Sequence, residues 1–155
     1  MQTPEDYFFN CVAFGIKGLE PVQILKNISY TLARQTELPA GLFLDKLDQI
    51  TKSEIVGIGD GVAVYDWKSP RITDSCLALL RLESPVQFPS VDDRPVDVIV
   101  VLVSAESVGP VHLRHLARIT RLVRDHDFLA RVRDVTCQSG LEALLAPENS
   151  QTLAA

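Results

Sequence analysis

Hydrophobic positions along the chain change period several times, and each change marks an element. Val22, Leu25, Ile28, Ser29 and Leu32 recur at helical spacing and predict a helix from about Pro21 to Gln35, with Pro21 suited to its first turn. A second helix spans about Pro39 to Thr51, with Leu42, Phe43, Leu47 and Ile50 on one face and Asp45, Lys46, Asp48 and Gln49 outward. Strand patterns follow at 62–66, from Ser75 to Leu82, and from Val96 to Val103, the last almost continuously apolar, as in a strand covered on both faces. Ser84 to Pro95 carries three prolines and reads as a loop with at most a short edge strand at Val86-Gln87-Phe88. Pro110 opens a long helix to about Arg124, lined inside by Val111, Leu113, Leu116, Ile119, Leu122 and Val123. Shorter helices, about Asp127 to Val135 and Ser139 to Leu145, close the pattern. Ahead of all these, residues 8–14 are apolar enough for a first strand or a packed leading segment.

The order α-α-β-β-β-α-α-α predicts an α/β fold, a single domain over residues 1–146 with a small mixed β-sheet flanked by helices. Residues 147–155 read as a disordered tail. The 155 residues include 46% hydrophobic ones, enough for a full core. A net charge of −5 argues against general nucleic-acid binding, which needs a broad basic surface. The longest apolar run, Val98 to Val103, is far short of the roughly 20 residues that cross a bilayer, and Met1 to Asp6 has no signal-peptide character, so the expected location is cytoplasmic. Cys11, Cys76 and Cys137 lack metal-site spacing and are expected to be buried, reduced thiols.

The unusual stretch is Gly57-Ile58-Gly59-Asp60-Gly61, which leads into Val62-Ala63-Val64-Tyr65 and ends on Asp66 beside Trp67. A dinucleotide fingerprint must follow a strand and open a helix, because phosphate binds at the helix N-terminus. Here the third glycine is wrongly spaced and a strand follows, and no Gly-Lys-Ser/Thr is present, so both phosphate loops are excluded. A tight turn between helix and strand accounts for the glycines by backbone geometry, and it places Asp66 at the strand end or just beyond.

Gly59-Asp60-Gly61-Val62-Ala63-Val64 resembles the active-site segment of the enzyme IIA domains of the bacterial sugar phosphotransferase system, type 2, the fructose/mannitol and nitrogen-regulatory kind. The pattern there is Gly-x-Gly-[Ile/Val]-Ala-[Ile/Leu/Val]-Pro-His. A second supporting segment is Asp93-Arg94-Pro95-Val96-Asp97 through Val103 to Ser104-Ala105-Glu106. A third, Val111-His112-Leu113 through Leu116, resembles the family's second histidine at the start of a helix. The likeness covers about residues 8–145 in the same order of elements.

The resemblance implies a phosphohistidine relay, in which the histidine closing the motif accepts a phosphoryl group from a phosphocarrier protein. This chain has Asp66 at that position and Tyr65 in place of the proline, with Gly59, Gly61, Ala63 and Tyr65 as the site framework and His112 as the retained second histidine. A neutral imidazole is a nucleophile near neutral pH, whereas a carboxylate would have to form an acyl phosphate amid crowded negative charge. An ionised Asp66 would instead carry a permanent negative charge where phosphate would otherwise arrive. The expectation is a regulatory, nitrogen-type pseudoenzyme acting by protein–protein binding. The alternative is an active phosphotransfer protein using His112 or Asp66, and an interaction domain unrelated to phosphate is the third reading.

No cofactor and no metal are implied. The partners expected are proteins, either the histidine-containing phosphocarrier protein or regulatory targets, with no nucleic acid and no membrane span. Arg114, Arg118 and Arg121 share a helix face, either solvated or docking an acidic partner. Trp67 is either an exposed aromatic anchor or a core residue. His115 and His126 show no partner pattern and read as surface residues, and no serine or cysteine sits in a nucleophile-elbow context.

Overall fold

A computed structural model describes residues 9–146. A five-stranded mixed sheet is built from β1 (Cys11–Ile16), β2 (Gly57–Gly59), β3 (Val62–Ser69), β4 (Cys76–Val86) and β5 (Val96–Ala105), in the order β1-β4-β5-β3-β2. β1 runs parallel to β4 and β3 parallel to β5, while the β4–β5 and β2–β3 pairs are antiparallel. Two helices, α1 (Pro21–Thr36) and α2 (Ala40–Ser53), connect β1 to β2. After β5, a short 3-10 turn at Glu106–Val108 leads to α3 (Val111–Val123), α4 (His126–Asp134) and α5 (Gln138–Leu144).

Side-chain alternation along the strands divides the core in two. Ala63, Tyr65, Ala78, Leu80, Ile99, Val101 and Val103 pack with Ile24, Leu25, Ile28 and Leu32 of α1 and with Phe43 and Leu47 of α2. Val62, Leu77, Leu79, Val98, Val100 and Leu102 pack on the opposite side with Ile119, Leu122 and Val123 of α3, Phe128 of α4 and Leu141 of α5. The central strand β5 is buried on both faces, which explains its unbroken apolar run.

Several expectations need correction. The glycine-rich stretch is more than a turn, because Gly57–Gly59 forms a short edge strand against β3 and only Asp60 and Gly61 turn the chain. Both turn residues have positive φ, 56° and 79°, the combination a right-twisted two-residue hairpin requires. Asp66 is not at a strand end: Trp67, Lys68 and Ser69 continue β3 by pairing with Val103, Ser104 and Ala105 of β5. β4 runs past Leu82 to Val86, through Pro85, with its register against β5 shifting between Arg81 and Val86 where the proline cannot donate.

Val22 is exposed and Ile24 takes its place on the buried face of α1, because only the part of the helix past its first turn lies over the sheet. Leu113 of α3 is likewise exposed, while His112 is buried. Of the cysteines, Cys11 and Cys76 are buried and reduced, but Cys137 is exposed, since it caps the N-terminus of α5. The expected tail, 147–155, lies outside the described residues.

β1 is an edge strand, and its free side is covered by one side chain. Gln138 of α5 accepts from the Phe14 N–H (2.7 Å) and donates to the Val12 carbonyl (2.8 Å), as a neighbouring strand would.

Candidate functional site

Asp66, Ser104 and His112 are far apart in sequence and meet at one point. Asp66 lies on the face of β3 that bears Val62 and Val64, turned towards α3, and Ser104 lies two residues beyond Leu102, its register partner on β5. The chain leaving β5 folds back through the 3-10 turn, so His112, the second residue of α3, comes down onto the same face. Its Nε2 is 2.9 Å from Asp66 Oδ2 and its Nδ1 is 2.7 Å from Ser104 Oγ.

Burial assigns the roles. The His112 side chain is 5% exposed and the Asp66 side chain 38%, while Ser104 is wholly buried. An ionised carboxylate can only accept, so Nε2 carries the hydrogen given to Asp66. In the neutral ring Nδ1 then accepts from the Ser104 hydroxyl, and every polar atom of the imidazole is used. The sequence reading recognised no serine partner, yet a Ser–His–Asp chain is present. It runs the wrong way for acyl transfer, because the hydroxyl is sealed inside and the carboxylate faces solvent. What the arrangement does is present a carboxylate at the surface in a fixed position, oriented by a buried imidazole. Lys68, two residues further along the same strand face, donates to the carbonyl of Gly109 (3.4 Å), fastening the loop that leads into α3.

The remaining predicted site residues lie elsewhere. Gly59 and Gly61 shape the hairpin at the opposite end of β3, and Val62 to Asp66 spans about 13 Å of strand. A Cβ on Gly61 would stand 2.8 Å from Arg133 Nη2 and 3.0 Å from Asp97 Oδ1. Arg133 is therefore a structural residue. It grips Asp97 through both oxygens (2.8 and 2.9 Å) and reaches the carbonyl of Asp60 at the turn. Asp60 is occupied there too, with Arg94 at 3.1 Å and His126 at 3.5 Å, so His126 does have a partner.

Ala63 and Tyr65 face α1 and α2, away from Asp66. The Tyr65 hydroxyl is 2.6 Å from Thr51 Oγ1, and burial pushes its pKa up to about 12. Trp67 is partly buried and packs on that same face. On α3, Arg114 and Arg121 are exposed and Arg118 is half-buried, while His115 is half-buried and no surface residue. Among the described residues, no group of three His, Cys, Asp or Glu side chains is placed to hold a metal ion, and no helix is long and apolar enough to cross a membrane.

Known proteins place this geometry in context. The family model described as "Phosphoenolpyruvate-dependent sugar phosphotransferase system, EIIA 2" matches residues 10–146. A nitrogen regulatory protein of Bradyrhizobium diazoefficiens is 32% identical over 124 residues, which are 80% of this chain and 81% of that protein. Among solved structures, nitrogen regulatory protein IIA-Ntr from Neisseria meningitidis superposes with a TM-score of 0.78 at 20% identity, covering 87% of this chain and 92% of that one. Enzyme IIAMTL, solved in complex with phosphorylated enzyme IIBMTL from Escherichia coli, gives a TM-score of 0.65 at 15% identity, covering 94% of this chain and 97% of that one. A single α/β domain with a mixed five-stranded sheet and helices on both faces is thus shared, and the chain belongs to the phosphoenolpyruvate-dependent sugar phosphotransferase system EIIA 2 family.

Proposed function

We propose that this protein is a regulatory member of its family that acts by binding another protein and does not relay a phosphoryl group. The observation that carries this reading is the bond between His112 Nε2 and Asp66 Oδ2, at the position where the motif resemblance calls for a phosphoacceptor histidine. A nucleophilic imidazole needs an exposed ring nitrogen with a free lone pair. His112 has neither, being buried with both nitrogens bonded. Asp66 offers a fixed negative charge to a partner surface without any transfer step. It carries less charge and fewer oxygens than a phosphate would, so it imitates the phosphorylated state only in part.

The names of relatives agree with a regulatory role: the Bradyrhizobium diazoefficiens protein is a nitrogen regulatory protein, and enzyme IIAMTL is seen bound to a protein partner. Partner contact is assigned here to the surface around Asp66, with the cationic face of α3 (Arg114, Arg118, Arg121) setting association rate and choice of partner. Trp67 supports β3 from the other side and is not assigned to contact. Cytoplasmic residence alongside the phosphocarrier protein is part of the same proposal.

Incubation with phosphoenolpyruvate and the general phosphotransferase proteins, followed by intact mass measurement, tests this reading. An unchanged mass is expected. A stoichiometric gain of one phosphoryl group would overturn it, and acid or hydroxylamine lability would then tell His112 from Asp66.

A further inference from the structure

Between the loop that joins β3 to β4 and the C-terminal end of α1 lies a cleft of about 520 Å³, a size typical of small-molecule sites. Arg71 and Asp74 line it from the loop and Gln35 from α1, while Leu38, Ile72 and Cys76 supply an apolar lining. The loop is anchored at both ends. Ser69 Oγ accepts from the Arg71 N–H (3.1 Å), and the Ser69 carbonyl accepts from the Ile72 N–H (3.3 Å). At the other end the Asn10 side chain donates to the Ser75 carbonyl (2.8 Å).

The charged side chains take no part in this anchoring. Arg71 and Asp74 carry opposite charges into one cleft, yet among the described residues neither side chain has an ion pair or a hydrogen bond to the protein. A fixed cleft that holds a cation and an anion apart, beside an apolar lining, is complementary to a molecule with the same three parts. We infer that this cleft binds an apolar α-amino acid in its zwitterionic form.

Each part of the ligand has its counterpart. The carboxylate meets the Arg71 guanidinium, which can donate two parallel bonds. The ammonium meets Asp74 and the end of α1, where the last carbonyls of a helix are unpaired and carry its partial negative charge. The aliphatic side chain covers Leu38, Ile72 and Cys76. Both ligand charges gain an opposite partner, so neither is left alone on leaving water. Leu38, Ile72 and Cys76 belong to the α1 side of the sheet, whereas Asp66 is turned towards α3. The site is thus separate from Asp66, and its failure would leave the regulatory reading standing.

The test titrates L-leucine and L-valine into the isotope-labelled full chain and follows its amide NMR signals. Saturating shifts are expected at Arg71 to Cys76 and at the end of α1. Arg71→Gln and Asp74→Asn, both at exposed positions, should each weaken binding about tenfold or more without moving signals elsewhere. Lys17→Gln, in a different cleft, should bind as the native protein does. Leucinamide, which lacks the carboxylate, and isocaproate, which lacks the ammonium, should each bind about tenfold more weakly than leucine. No saturating shift with either amino acid by about 10 mM, or shifts confined to another part of the protein, would overturn the proposal. So would isocaproate or leucinamide binding as tightly as leucine, or unchanged affinity in both cleft variants.

Discussion

Replacing Tyr65 with phenylalanine should make stability less favourable at neutral pH and more favourable at high pH, with the two proteins equal near pH 11. Tyr65 is fully buried, and its hydroxyl bonds Thr51 Oγ1 at 2.6 Å. Thr51 already donates to the Leu47 carbonyl at 2.8 Å, so it is the tyrosine that donates between them. Loss of that one bond costs about 1 kcal/mol at pH 7, leaving open only the acceptor side of a hydroxyl. Above pH 10 the balance changes. An unfolded tyrosine titrates near pH 10, whereas burial pushes Tyr65 up to about 12. In that window the native state holds a proton the unfolded chain has released, so stability is intact below about pH 10 and falls as pH rises through about 12. Two pH units correspond to about 2.7 kcal/mol in the limit, of which roughly 1.4 kcal/mol is gone at pH 11. The phenylalanine variant has no such proton to lose. Urea denaturation of both proteins at stepped pH isolates the difference, because every other titrating group is common to the two. A difference that stays constant from pH 7 to pH 12 would refute the burial argument, as would early native tyrosinate absorbance from all tyrosines.

Three further substitutions test the packing around the site and the hairpin. Ser104→Ala leaves Nδ1 of a buried His112 without its hydroxyl and should cost about 1–3 kcal/mol in denaturant titration, with a value under about 0.5 counting against the buried chain. Gly61→Ala meets Arg133 at 2.8 Å and Asp97 at 3.0 Å, whereas Gly15→Ala meets nothing within 4 Å; both positions have positive φ. The first should therefore cost about 2 kcal/mol or more and the second about 1 kcal/mol, and equal losses would remove the crowding argument. Arg133→Met strips a two-oxygen ion pair that is 30% and 22% exposed and should cost roughly 1.5–3 kcal/mol, while Lys52→Met, breaking an ion pair whose lysine is 74% exposed, should stay within about 0.5 kcal/mol.

What could be read from the chain alone follows from the range of the interactions involved. β5 was legible because a strand covered on both faces must be apolar at every position, and Val96 to Val103 is nearly so. The helix faces were legible in phase but not at their ends: Val22 and Leu113 sit on the apolar spacing yet project past the packed surface. His112 hid in the opposite way. A polar residue counts against a buried face, and only the contacts with Ser104 and Asp66 make its burial tolerable. Asp66 was singled out from the motif, but its setting within β3 was not, because Lys68 and Ser69 look like the end of a strand until their pairing with β5 is known. The glycines drew attention to the motif, and the structure places them in a hairpin about 13 Å along the strand from Asp66. The grip of Arg133 on Asp97 left no local signal, since it depends on which elements the topology brings side by side.

The central claim is that Asp66, at the position the family motif gives its acceptor histidine, is a carboxylate held by His112 that accepts no phosphoryl group. The most direct measurement places the native protein and Asp66→His side by side with phosphoenolpyruvate and the general phosphotransferase proteins, and reads intact mass. The account predicts no phosphoryl adduct on the native chain and an acid-labile adduct on Asp66→His, since an imidazole there would supply the nucleophile that the carboxylate does not. A stoichiometric adduct on the native chain would contradict it.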